Sequence, residues 1–237
     1  MVLRMAAALA VAVMVAAAGW WFFVREDAQL ATSAPEIPEN LGATPTAAAS
    51  GTVESLPAGT ERYTIVSEQS EAAYFADEKL ASLSLPSTAK GSTTAIEGEF
   101  YLTADGLDES LPSVFTVDLR TLRSDESRRD SRVQNQGLET SKYPTATFTA
   151  TGIEGWPGEF PAGEEVEFKL TGMLDLHGVE REVTWDVKAR KEDAALSALA
   201  TVTFKYADFN IPQLNIANFV SVAEDVTLQV SIIAIGG

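Results

Sequence analysis

The sequence predicts an all-β domain, a closed antiparallel β-barrel with one short helix, preceded by an N-terminal transmembrane helix and a disordered linker. Three observations predict the barrel. Apolar and polar residues alternate with period 2 in seven or more segments after Tyr63, turn signals separate the segments, and each segment keeps one polar face. Such alternation is typical of antiparallel sheets with one buried face, and a count of about eight strands favours a barrel.

The alternation also predicts which side chains face the interior. Phe115 and Val117 share one parity while Thr116 and Asp118 share the other, and the same pattern recurs in the later segments. The residues predicted to face inward and to contact any ligand held there are Phe100, Phe115, Val117, Phe148, Phe168, Leu170, Leu174, Trp185, Phe204 and Tyr206. Large aromatic rings can fill a barrel, whereas the small residues at positions 98, 146, 172, 198 and 200 argue for empty volume. The residues alone leave a filled core and a cavity equally open.

One helix interrupts the strands. Ser124 is the expected N-cap, Asp125 and Glu126 stand in the first turn, and Gly137 is the expected end. Five arginines lie on or just before this helix: Arg120, Arg123, Arg128, Arg129 and Arg132. Arginine forks match phosphate oxygens, so the cluster is a candidate for a phosphate or pyrophosphate group. A solvated helix face balanced by neighbouring carboxylates is the preferred interpretation.

The N-terminal region predicts export and a membrane anchor. Met5 to Val24 is a stretch of 20 residues without a charge, about the length that crosses a hydrocarbon core. Cleavage after Ala18 is the alternative, but it would leave the apolar cluster Trp20 to Val24 exposed on a soluble protein. We therefore expect a single-pass cell-membrane protein with an extracytoplasmic C-terminal domain. The predicted organisation is an anchor over residues 1–25, a flexible linker rich in small residues and proline over 26–61, and a barrel over 62–237.

Charge and composition exclude several partners. The net charge is −17, and residues 63–237 hold 28 acidic and 14 basic side chains, so nucleic acid is not an expected partner. The chain has no cysteine, which rules out disulfides and thiolate metal sites. The acidic group at Asp105, Asp108 and Glu109 lacks the spacing of a calcium loop and predicts a turn. No metal site and no cofactor other than a bound lipid is expected.

Several motifs together carry a family resemblance. They are the strand and turn from Val114 to Thr121, the pair Arg129-Asp130, the element Lys142 to Phe148, the run from Leu170 through His177-Gly178 to Val179, and the closing stretch Asp225 to Leu228. In this combination the chain resembles the YceI-like family of bacterial envelope proteins over most of residues 62–237. The resemblance implies an up-and-down, lipocalin-like barrel that binds a polyisoprenoid or another long-chain lipid, and it favours a cavity over a filled core.

The polar residues within these motifs have two interpretations each. His177 is the sole histidine. A hydrogen bond within a turn is the preferred role for it, and a contact to a ligand head group is the alternative. Arg129 and Asp130 are further candidates for head-group contacts. Catalysis is not expected, because His177 has no evident nucleophile partner.

The sequence thus predicts a membrane-tethered, extracytoplasmic lipid-binding protein without enzymatic activity. Its ligand would be a polyisoprenoid, quinone-like or fatty-acyl chain, held for storage, transport or shielding. A structural or interaction module with a filled barrel is the main alternative, and a hydrolytic enzyme is a third. A homodimer is a candidate assembly state that the sequence leaves open.

Overall fold

The computed structural model describes residues 28–38, 41, 56–80, 86–161, 163–215 and 220–237. Within these ranges no helix is both long and apolar enough to cross a membrane. The predicted anchor at Met5 to Val24 and much of the predicted linker lie outside the described residues, so both stay predictions.

Twelve β-strands lie in the described ranges and all of their pairings are antiparallel. They are β1 (Glu61–Ile65), β2 (Glu71–Leu80), β3 (Pro86–Thr93), β4 (Ile96–Thr103), β5 (Gly106–Leu107), β6 (Val114–Asp118), β7 (Arg123–Ser124), β8 (Thr145–Glu154), β9 (Val166–Leu176), β10 (Val179–Glu192), β11 (Ala195–Lys205) and β12 (Val220–Gly236). The seven segments with period-2 alternation coincide with β4, β6 and β8 to β12.

The sheet closes into a barrel of eight strands. Its order is β1-β4-β6-β8-β9-β10-β11-β12, and β12 pairs with β1 through residues 234–236 to close the ring. The rest of β12 pairs with β2, so β1 and β2 together form the strand beside β12. In the same way β3 and β4 together form one barrel strand, and β6 and β7 form another. The eight barrel strands thus follow one another in chain order, and each of the first three is broken into two shorter strands. The predicted closed, antiparallel, up-and-down barrel is confirmed.

A buried serine bridges the break between β1 and β2. A short 3₁₀ turn over Ser67–Gln69 interrupts the strand. The hydroxyl of Ser70 donates to the carbonyl of Val66 at 2.8 Å and accepts the amide of Ile233 at 3.1 Å. This hydroxyl replaces a missing backbone partner, which keeps β12 fully bonded across the break.

The single short helix is confirmed, but its start differs from the expectation. Helix α1 covers Ser127–Arg132 and continues into a π-helical turn at Val133–Gly137, so Gly137 does end the helical segment. The N-cap is Glu126, whose carboxylate accepts the amide of Arg128 at 3.2 Å. Ser124 is not the cap, because it belongs to β7, where its backbone pairs with Gly91 of β3.

Residues 28–34 lie against the outside of the barrel, although their composition predicts a flexible linker. We call this segment the strap. The backbone amide of Ala34 donates to Glu165 at 2.8 Å, and Ala31 exchanges two hydrogen bonds of 2.9 Å with the side chain of Gln229. Ala34 and Gln229 are both buried.

Candidate functional site

The barrel encloses a cavity of about 930 Å³ with a mostly apolar wall. All ten side chains predicted to face inward lie on this wall: Phe100, Phe115, Val117, Phe148, Phe168, Leu170, Leu174, Trp185, Phe204 and Tyr206. A barrel with this volume is not filled by its own side chains. That these residues contact a ligand stays a prediction.

A belt of aromatic rings runs around one side of the wall. Ring centroids are 5.2 Å apart for Tyr63 and Phe100, 5.7 Å for Phe100 and Phe115, and 6.1 Å for Phe115 and Phe148. Trp185 meets Phe148 edge to face at 5.8 Å. The rings of Tyr63, Phe100, Phe115 and Phe148 stack along the wall rather than across the lumen because they come from the successive strands β1, β4, β6 and β8. This arrangement leaves the centre of the barrel open.

Small side chains on the inner face leave the remaining empty volume of the cavity. Ala146 and Ala150 of β8 and Ala198 and Ala200 of β11 line the cavity. Gly172 also belongs to the inner face, and the ring of Phe148 lies across it. The sequence signal of small residues at inward positions therefore corresponds to real empty space.

One end of the cavity is closed by a cluster of three aromatic side chains. Trp156 packs on Phe168 at 5.3 Å and on Phe160 at 5.1 Å, both nearly perpendicular. Its indole N–H donates to the carbonyl of Ala104 at 3.2 Å, which ties it to the β4–β5 turn. In the sequence, Trp156 stands beside Pro157-Gly158, a pair typical of a turn. Strand parity gives no orientation for a residue that follows a strand end, so no signal marked it as part of the wall.

The opposite end, next to α1, is the mouth of the cavity. The exposed members of the wall, Arg128 and Pro212, both lie there. The charged and hydroxyl-bearing groups at this end are Glu78, Ser87, Glu126, Arg128, Arg129 and Arg132. The cavity is therefore apolar inside and polar at its mouth, as a site for an amphipathic molecule requires.

Arg129 is held by carboxylates at the mouth. Its Nε and Nη2 atoms each lie 3.3 Å from an oxygen of Glu78, and Nη1 lies 2.5 Å from Asp125. Burial lowers the pKa of Arg129, but the two carboxylates outweigh it and hold the pKa above its ordinary value. The pair Glu78–Arg129 joins α1 to β2 with both side chains mostly buried. Arg129 thus lines the cavity with its charge already neutralised.

Arg128 and Arg132 differ from Arg129 in having no ion pair with any described residue. Both line the mouth. The other two arginines of the predicted cluster lie off the wall: Arg120 pairs with Asp118, and Arg123 donates to the carbonyls of Arg120 and Leu122. Of the five arginines, Arg128 and Arg132 are the pair best placed to receive an anionic head group.

Two partly buried tyrosines stand between the mouth and the apolar interior. Burial raises the pKa of Tyr206 to about 12 and raises that of Tyr74 well above the ordinary value. Neither phenol hydroxyl forms a hydrogen bond with a described residue, so both can donate to a ligand oxygen. Tyr206 was predicted to face inward, whereas Tyr74 was not assigned because β2 follows an interrupted strand.

His177 and Asp130 lie off the cavity wall. His177 occupies the β9–β10 turn with φ of 55°, its Nδ1 lies 3.2 Å from the carbonyl oxygen of Phe209, and its Nε2 lies 3.1 Å from Glu139. Asp130 accepts the amide and the hydroxyl of Ser124 at 2.8 and 2.6 Å. These contacts favour structural roles for both residues. A head-group contact by either residue stays a prediction.

The acidic side chains that the structure describes form no cluster that could hold a metal ion. Among the described residues no group of three or more potential ligands comes together. Asp108 instead accepts hydrogen bonds from Thr60 at 2.5 Å and from Ser110 at 2.6 Å. Asp108 thus forms hydrogen bonds that stabilise a turn.

A closed eight-stranded up-and-down barrel belongs to the class of small antiparallel barrels, whose interior is either filled by side chains or wide enough for one small ligand. Within that class, a family model described as YceI-like domain matches residues 63–234, and the chain belongs to this family. The UPF0312 protein VVA0736 of Vibrio vulnificus is 27% identical in an alignment 140 residues long that covers 55% of this chain and 69% of that protein.

Two solved structures share the fold. A polyisoprenoid binding domain from Saccharophagus degradans, described as implicated in plant cell wall breakdown, has a TM-score of 0.58 at 17% identity and covers 74% of this chain and 98% of its own. BcnA of Burkholderia cenocepacia has a TM-score of 0.55 at 17% identity and covers 71% of this chain and 98% of its own. At this identity the likeness concerns the fold alone.

Proposed function

We propose that the barrel binds one long-chain apolar lipid and holds it for storage, transport or shielding, without making or breaking a bond. The observation that carries the proposal is the cavity of about 930 Å³ with its apolar wall and polar mouth. Each methylene buried from water contributes about 0.8 kcal/mol, so a long chain gains affinity without specific contacts. A filled structural module would have no use for such a volume.

The ligand fits the site with its chain inside and its head at the mouth. A polyisoprenoid, quinone-like or fatty-acyl chain would run along the aromatic belt. An anionic or oxygen-bearing head group would meet Arg128, Arg132 and the hydroxyls of Tyr74 and Tyr206. The description of the Saccharophagus domain as polyisoprenoid binding supports this ligand class for a related fold.

The protein is proposed to act at the outer face of a membrane. The uncharged stretch from Met5 to Val24 would span the bilayer once and leave the barrel extracytoplasmic. A lipid carrier gains from such a tether because its ligand resides in the bilayer and has negligible solubility in water.

Native mass spectrometry tests ligand binding directly. Residues 28–237, which retain the strap, would be purified from a bacterial envelope without detergent. We expect a discrete extra mass that is released as an apolar lipid on denaturation. A clean ligand-free mass that persists after incubation with polyprenyl and fatty-acyl lipids would contradict the proposal.

Two adjacent residues of β9 provide matched variants. Leu170 faces the cavity and Thr171 faces outward, where its hydroxyl lies 3.1 Å from that of Thr184. Leu170→Lys would place an ammonium in the apolar wall and should remove the bound mass, because burying an unpaired charge is costly. Thr171→Lys should retain the bound mass. Circular dichroism of both variants checks that the barrel is folded.

A further inference from the structure

The strap runs along the barrel from its mouth to its closed end. At one end the amide of Ala28 donates to the carbonyl of Thr88 at 3.3 Å, and Thr88 directly follows Ser87 on the mouth. At the other end Ala34 is bound to Glu165, which directly precedes β9 and stands next to the aromatic closure. The described part of the strap therefore begins beside the mouth.

The contacts of the strap are specific rather than incidental. Both polar atoms of the Gln229 side chain are bonded to the backbone of Ala31, and its nitrogen also donates to Thr201 at 3.1 Å. Lys188 donates to the carbonyl of Thr32 at 2.9 Å. Gln229 is 5% exposed and Ala34 is 3% exposed with the strap in place, so these hydrogen bonds are shielded from water, which strengthens them. We therefore expect the strap to stay bound to the outside of the barrel.

The segment between the predicted anchor and the strap is short. Three residues, Arg25 to Asp27, separate Val24 from Ala28. A fully extended chain spans at most about 3.5 Å per residue, so Ala28 stands no more than about 14 Å from the end of the anchor. Thr88 lies two residues from the start of β3, so the mouth must stand close to the bilayer as well.

From this geometry we propose that the strap fixes the barrel with its mouth toward the phospholipid surface, so that a lipid passes between bilayer and cavity without crossing water. The orientation rests on the membrane anchor of the proposed function. The rim has the chemistry of a surface that meets lipid head groups. Arg128 is exposed and free of ion pairs with described residues, and Arg132 stands one turn along the same helix. An exposed arginine close to the bilayer is attracted to anionic lipid head groups.

Single cysteine labels can measure the orientation, because the natural chain has no cysteine. Ser131→Cys places a fluorophore on α1 at the mouth, and Asp105→Cys places one on the β4–β5 turn at the closed end; both positions are exposed. The full chain is reconstituted in vesicles of anionic phospholipid that contain a lipid with a nitroxide head group. We expect several-fold stronger quenching at residue 131 than at residue 105. Equal quenching, or stronger quenching at residue 105, would overturn the orientation.

Two variants distinguish the contribution of the strap to the orientation from that of the anchor. Insertion of about 20 Gly and Ser residues between Asp27 and Ala28 adds a flexible span of about 25 Å and should reduce quenching at residue 131. Gln229→Ala combined with Glu165→Ala removes the bonds to Ala31 and Ala34, and it should reduce the difference between the two labels. Unchanged quenching in both variants would show that the strap does not set the orientation.

Flotation and bound mass keep the proposals distinguishable. A protein that floats with the vesicles but shows no difference between the labels would overturn the orientation alone. A protein that fails to float would overturn the anchor and the orientation together, whereas lipid binding is judged independently by the bound mass of residues 28–237.

Discussion

The ring of Phe148 lies across Gly172 on the neighbouring strand of the barrel wall. A β-carbon at Gly172 would stand 2.5 Å from Cζ of Phe148 and 2.3 Å from the carbonyl oxygen of Thr149. No side chain fits at this position without movement of the strand or of the ring. The aromatic belt and the shape of the cavity therefore both depend on an absent side chain in β9.

Gly172→Ala should destabilise the barrel. The new methyl group would overlap both a backbone oxygen and a packed ring, and overpacking of this kind costs about 1–3 kcal/mol. Gly152→Ala on β8 is the matched control, because a β-carbon there meets nothing within 4 Å. Urea unfolding should give a lower free energy of unfolding for Gly172→Ala and a value within about 0.5 kcal/mol of the natural protein for Gly152→Ala. Equal values for the two variants would contradict the contact.

The pair of Glu78 and Arg129 should contribute measurable stability. Their side chains are 17% and 16% exposed, so Glu78→Gln leaves a mostly buried guanidinium with one carboxylate fewer. We expect a loss of about 1–3 kcal/mol in the free energy of unfolding.

An exposed ion pair is the control for that measurement. Lys169 and Asp186 lie 2.5 Å apart with side chains 53% and 78% exposed. Asp186→Asn should therefore change the free energy of unfolding by no more than about 0.5 kcal/mol. A loss as large as that of Glu78→Gln would mean that burial does not decide the strength of these pairs.

Strand parity predicted the cavity wall because a barrel imposes one rule on all of its strands. Side chains alternate between lumen and exterior, so Phe168, Leu170 and Leu174 could be placed inward from spacing alone. The rule fails where a strand is interrupted or has ended. The turn at Ser67–Gln69 breaks the alternation before Tyr74, and Trp156 follows the end of β8.

The strap could not be predicted from composition. Its contacts with Gln229, Lys188 and Glu165 use backbone amides and carbonyls of small residues, which every sequence possesses. The information for docking lies in the side chains on the barrel, far away along the chain. The volume of the cavity escaped prediction for a related reason, since it depends on how rings such as Phe100 and Phe115 stack after the sheet closes.

Alkaline pH should destabilise the barrel through its partly buried tyrosines Tyr74 and Tyr206. Burial raises the pKa of Tyr206 from 10.0 to about 12 and raises that of Tyr74 as well. In the unfolded chain these phenols lose their protons near pH 10, so the folded state binds more protons above that pH and the free energy of unfolding falls as pH rises. The stabilisation is complete below about pH 10 and is lost as pH approaches 12.

Tyr74→Phe combined with Tyr206→Phe tests this assignment. The double variant should show a shallower fall in the free energy of unfolding between pH 10 and about 12 than the natural protein. Absorbance of phenolate at high pH gives an independent reading, since the natural protein should contain tyrosines that ionise late and the double variant should contain fewer. An identical pH dependence in both proteins would mean that other groups, such as the lysines, dominate.

Trp156 should slow the loss of lipid from the closed end of the barrel. Its ring packs on Phe160 and Phe168 and its N–H is fixed to Ala104, so Trp156→Ala would open a second exit from the cavity. We expect faster transfer of a bound fluorescent fatty-acyl probe to acceptor vesicles, with the initial amount bound little changed because most of the apolar wall remains. Trp156→Phe is the matched control: it keeps an aromatic ring but lacks the hydrogen bond, and its transfer rate should lie near that of the natural protein. A rate for Trp156→Ala equal to that of Trp156→Phe would mean that lipid leaves through the mouth alone.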